Sequence, residues 1–107
     1  MRETMKPMYR LKKEDVESVK KLLRIVNAEY TGCLNEYEKG VRDFAKEYLS
    51  SIERDVTTLY YVKGLTVQEI ARRSDRNIST ISRNITRGTG RAMQIIKLAR
   101  AISPLKF

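Results

Sequence analysis

The sequence predicts an all-α fold: an N-terminal helix hairpin, a trihelical helix-turn-helix and a C-terminal helix. Three observations carry this. Apolar residues recur at three- and four-residue spacing through most of the chain. Only two prolines and five glycines interrupt them. Two Ser/Thr-x-x-Glu signatures each stand before an apolar run, where a capping box starts a helix. The 107 residues are 41% apolar and 33% charged, enough for one compact domain and too few for separate catalytic and binding domains.

Residues 1–12 include Pro7 and show no clear period, so they read as an arm. From Lys13 to Tyr30 the stripe Val16, Val19, Leu23, Val26 and Tyr30 predicts one helix. Gly32 breaks it, and the stripe restarts at Leu34, Tyr37, Val41, Phe44 and Tyr48. So short a connection predicts an antiparallel hairpin over 13–50. Each stripe spans about two heptads, too few for a coiled-coil seam, so the hairpin is expected to supply core. Cys33, beside the turn, is assigned no redox role.

The box Ser50-Ser51-Ile52-Glu53 opens the second half, residues 51–90. Its first helix carries Ile52, Val56, Leu59, Tyr60 and Val62 and stops at Gly64. A second box, Thr66-Val67-Gln68-Glu69, starts a short helix with Val67, Ile70 and Ala71 inward. Arg72 and Arg73 lie near that helix's C-terminus, where the macrodipole favours cations. The polar break Ser74-Asp75-Arg76-Asn77 follows, and Asn77 is a good cap for a helix built on Ile78, Ile81 and Ile85. Residues 91–107 are the C-terminal helix and tail. Apolar and small positions run in phase from Ile78 through Gly88 and Ala92 to Ile102, and Gly88 with Ala92 would let another helix approach closely. Two interior glycines cost roughly 2 kcal/mol, which favours a break near Gly90 and a separate last helix from Arg91 to Ile102 over one long helix, kinked or straight. That helix is expected to pack on the hairpin, with pairing to a second copy, a homodimer, as the alternative.

Charge narrows the function. The chain holds 22 Lys+Arg, 13 Asp+Glu and no His, a net charge of +9. Residues 1–50 are close to balance and residues 51–107 carry most of the excess. After Arg72 the only acid is Asp75. Without His or paired Cys, no metal site, catalytic group or cofactor is expected, and the chain reads as no enzyme. No apolar run suggests a signal peptide or membrane span, and the basic last helix makes a poor membrane face, so a cytoplasmic protein with a polyanionic partner is expected.

Two short helices joined by a tight turn form a helix-turn-helix, and its second helix must enter a major groove about 12 Å wide. Ile78, Ile81 and Ile85 would anchor that helix over about 78–87. Ser79, Thr80, Ser82, Arg83, Asn84 and Arg87 are the candidates for base contacts, Arg83 being placed for a bidentate pair with guanine. Thr66, Arg72, Arg73, Arg76, Asn77, Thr86, Arg91 and Lys97 are the candidates for phosphate contacts. The expected function is a sequence-specific double-stranded DNA-binding regulator of transcription, of phage or mobile-element type.

The residues also carry a resemblance. The stretch Tyr61-Val62-Lys63-Gly64-Leu65-Thr66 followed by Glu69-Ile70-Ala71 resembles the start of region 4 of bacterial sigma factors and of LuxR-type regulators. The stretch Glu69-Ile70-Ala71…Arg76-Asn77-Ile78-Ser79-Thr80-Ile81-Ser82-Arg83 is similar to the N-terminal helix-turn-helix of one class of insertion-sequence transposases. Both patterns place Leu-Gly where this chain has Ser74-Asp75; Asp tolerates the left-handed turn conformation, while Ser74 forfeits apolar burial. No room is left for the promoter-melting region of a sigma factor, nor any acid after Asp75 for a transposase triad. The sigma resemblance implies RNA polymerase as an alternative partner. A protein-interaction module with an incidental basic face is the rival from another class.

Overall fold

The computed structural model describes residues 11–27 and 34–102. Tyr30, Gly32, Cys33 and residues 1–10 of the arm lie outside the described residues. The order is α1 (Lys13–Val26), α2 (Glu36–Tyr48), α3 (Ser51–Thr57), a π turn (Thr58–Val62), α4 (Val67–Ser74) and α5 (Ile78–Ile102). Among the described residues there is no strand, and no helix is long and apolar enough to cross a membrane.

Capping boxes set three of the helix starts. Ser50 opens α3 with both bonds of a capping box: its hydroxyl accepts from the Glu53 N–H at 3.2 Å, and Glu53 Oε1 accepts from the Ser50 N–H at 3.0 Å. Thr66 and Glu69 do the same for α4, and Asn35 with Glu38 for α2. Each box satisfies two backbone donors that a helix N-terminus leaves orphaned.

Two cores form, and α5 belongs to both. Val56, Val67, Ile70, Ala71, Ile81 and Ile85 close the trihelical unit of α3, α4 and the first half of α5. Val19, Leu22, Leu23 and Val26 of α1 meet Ala45, Leu49, Ala92, Met93, Ile95 and Ile96 in the other. The C-terminal half of α5 therefore packs on the N-terminal helices, as expected.

Four expectations need correction. The break near Gly90 does not exist, because α5 runs unbroken from Ile78 to Ile102. Gly88 is why the helix is worth keeping: a Cβ there would stand 2.7 Å from Thr57 Cγ2 and 3.3 Å from the Glu53 carbonyl oxygen. Bare backbone lets α3 and α5 approach closely, and burial on both sides of the glycine offsets its propensity cost.

The expected α2 stripe is only partly inward. Ala45 and Leu49 are buried, Tyr37 and Val41 are half-buried, while Phe44 and Tyr48 remain 46% and 38% exposed. The sense of α1 and α2 also differs from an antiparallel hairpin. Arg100, in the last turns of α5, donates to Asp15 near the start of α1 at 3.3 Å, and Ala99 accepts from Tyr37 near the start of α2 at 3.0 Å. Further along, Asn27 donates to Thr58 at 2.9 Å, and the Tyr48 hydroxyl bonds Gln94. Both helices thus run in one sense, against α5.

The helix expected to end at Gly64 changes form at Thr58. Lys63 N–H donates to the Thr58 carbonyl at 3.0 Å, a five-residue step, and Leu65 N–H closes on Leu59 at 3.0 Å. Gly64, at φ 76°, permits that closure. The wider turn brings the Tyr61 hydroxyl to 2.9 Å from Thr89 Oγ1.

Candidate nucleic-acid interface

The helix-turn-helix is α4, the turn at 75–77 and the first half of α5. Asp75 ends α4 in the left-handed region, at φ 55° and ψ 44°. This is the position where the resembled families use glycine, and Asp is among the few other residues that enter it routinely. Arg76 N–H then bonds back to the Ala71 carbonyl at 3.0 Å. Asn77 caps α5: its Oδ1 accepts from the Thr80 N–H at 2.9 Å and from the Ser79 hydroxyl at 3.0 Å.

Ile81 and Ile85 are fully buried and fix the rotation of α5. The opposite face follows: Ser79, Arg83 and Arg87 are exposed, and Thr80, Ser82 and Thr86 are half-exposed. Arg72 and Arg73 in the last turn of α4, Arg76 and Asn77 in the turn, and Thr66 before α4 are exposed as well. No acid lies anywhere in α5. Near the start of α4, the Glu69 carboxyl is held below the usual carboxylate range. The Thr66 backbone N–H contributes most, then the Thr66 side chain, with Arg72 and Arg73 adding smaller attractions.

Three candidates stand elsewhere. Asn84 is only 9% exposed; it follows Ile81 by three residues and precedes Gly88 by four, which puts it on the inward stripe. Direct base reading by Asn84 is thereby corrected. Arg91 turns to α3, donating to both carboxylate oxygens of Glu53 at 3.0 and 3.2 Å, and its guanidinium lies 5.8 Å from the Tyr48 ring centre. Lys97 is exposed but lies roughly 21 Å from Arg83 along the helix axis, at 1.5 Å per residue.

A capped α4, a left-handed turn residue and an outward polar face on α5 together define the motif. Residues 45–89 match the family model of sigma-70, region 4. Sigma-70 region 4 is a non-enzymatic helix-turn-helix domain of DNA-binding or RNA polymerase-related regulators. The matched span takes in the last turn of α2, α3, the π turn, α4 and the first half of α5, and it leaves α1, the rest of α2 and the end of α5 outside. The transposase likeness is not supported by this match. No curated protein and no solved structure shows significant similarity to the chain.

Sequence reasoning missed two features of the matched segment. Gln68 is exposed two residues after Thr66 at the start of α4; the capping box was the signal that placed it there. Glu53 is the other. It was read as a cap alone, yet it is 2% exposed and carries the ion pair that ties α3 to α5. Nothing local in the sequence points to a partner 38 residues away.

Proposed function

We propose that this chain binds double-stranded DNA sequence-specifically as a transcription regulator, with residues 78–87 of α5 in the major groove. One observation carries the reading: Ile81 and Ile85 bury one side of α5, so Ser79, Arg83 and Arg87 share the outward side of an acid-free helix. Arg83 lies one turn in, where its planar fork suits guanine O6 and N7. Ser79 and Ser82 are short enough for adenine or phosphate. Arg72, Arg73, Arg76, Asn77 and Thr66 flank the segment and would clamp phosphates, fixing register without reading sequence.

The test is equilibrium binding to duplex DNA across a salt series, with sequences selected from a random pool. Log affinity should fall with log salt by about 0.9 per neutralised phosphate, and the selected pool should converge on a site. A flat salt response and an unconverged pool would overturn the reading. The sigma-70 region 4 match supports a second reading, docking on RNA polymerase. Retention on polymerase together with a flat DNA salt response would favour it.

A further inference from the structure

At the opposite end of α5 from Ser79 lies a feature that DNA binding does not use. An apolar groove of about 380 Å³ runs between α2 and the last turns of α5, lined by Tyr37, Val41, Phe44, Ile95, Leu98 and Ile102 among others. Its rims stand in solvent: Phe44 is 46%, Leu98 51% and Ile102 70% exposed. All the residues named here lie outside the matched span of 45–89.

The two edges of the groove carry opposite charge. On α2, Glu36, Asp43 and Glu47 are exposed and fall on one stripe by their spacing of seven and four. On α5 the exposed edge carries Lys97 and no acid. Among the described residues neither Glu47 nor Lys97 has an ion-pair partner, whereas Glu36 pairs with Lys39 at 3.3 Å and Asp43 with its neighbour Arg42 at 3.1 Å. We propose that a second copy of this chain covers the groove, related by a two-fold axis parallel to α5.

The charges choose both the occupant and the axis. A two-fold axis along the groove swaps its edges, so the acidic edge of each copy faces the Lys97 edge of the other. An axis across the groove would set acid against acid. The axis along the groove also preserves height. Tyr37 reaches Ala99 and Tyr48 reaches Gln94, so Asp43 and Lys97 each lie between these two crossings on their own helix. Phe44 of one copy then meets Leu98 of the other, in an isologous contact. The same axis leaves both recognition segments projecting from one end of the dimer.

The experiment is sedimentation equilibrium of the full chain over a concentration series, a readout independent of DNA. The wild type should show a reversible monomer–dimer equilibrium. Leu98→Glu should weaken dimerisation by on the order of tenfold or more with unchanged helical circular dichroism; Ile102→Glu, at a still more exposed site, serves if Leu98→Glu fails to fold. Lys97→Glu and Asp43→Lys should each weaken the dimer several-fold, and the two together should recover most of the loss. A wild type that stays monomeric overturns the proposal. So does a dimer indifferent to Leu98→Glu and Ile102→Glu, or a double reversal no better than either single one.

Discussion

The Arg91 guanidinium donates to both oxygens of the buried Glu53 carboxylate, joining α5 to α3 three residues beyond the close contact at Gly88. Glu53 is only 3% exposed as a side chain and Arg91 41%, so solvent screens one partner and scarcely reaches the other. Removing Arg91 strands a carboxylate whose other bond is to the Ser50 N–H. Arg91→Ala should therefore cost about 2 kcal/mol in chemical denaturation. Glu53→Gln in the Arg91→Ala background should recover part of that loss, because no buried charge remains.

The two glycines of α5 separate packing from propensity. Gly88→Ala would put a methyl 2.7 Å from Thr57 Cγ2, forcing α3 and α5 apart at a cost of about 1–3 kcal/mol, more than the helix propensity gained. Gly90 has nothing within 4 Å of a built Cβ. Gly90→Ala should stabilise the protein by up to about 1 kcal/mol. Thermal melts of the pair should move in opposite directions.

Arg83→Ala should cost about 1–3 kcal/mol against the selected DNA site and little against unrelated DNA. Arg73→Ala should weaken both alike and lower the salt slope by about 1. Neither side chain is buried, so the fold should be unaffected. Equal losses across sequences for Arg83→Ala would remove it as a base reader.

Glu69 predicts a pH dependence with a definite sign. Its folded-state pKa is lowered, chiefly by the Thr66 backbone N–H, so the charged form favours folding. The stabilisation is present above the unfolded carboxyl pKa and is lost as pH falls through the lower folded value. A carboxyl NMR titration should place Glu69 below the usual carboxylate range. Thr66→Ala, which keeps the backbone N–H and removes only the side-chain bond, should move it part of the way back up, and Glu69→Gln should flatten this part of the acid limb of stability.

What the sequence made legible was local. Ser50, Thr66 and Asn77 cap the helices they precede because a cap needs only three residues of context, and Asp75 takes the left-handed turn position for the same reason. The contacts that overrode periodicity are distant ones. Thr57 decides that α5 continues through Gly88, and Arg91 decides what Glu53 is for. Phe44 and Tyr48 keep perfect helical phase, yet phase alone does not say which neighbour arrives to cover them. Asn84 looked like a reader of bases because it is polar, although its spacing from Ile81 and Gly88 already placed it inward. The exposure of Arg72, Arg73, Arg76, Arg83 and Arg87 is legible in the sequence, whereas the residues of α5 that turn toward α3 are not.

The unbroken course of α5 has a consequence for how the molecule comes apart. A helix walled by one core over its first half and by the other over its second leaves no seam where the chain can open in parts. Loss of either core strips one side of the same rod and exposes the backbone bonds running through Gly88. Amide protons of Ile81 and Ile96, one in each core, should therefore exchange with the same free energy, in a single opening of the whole molecule.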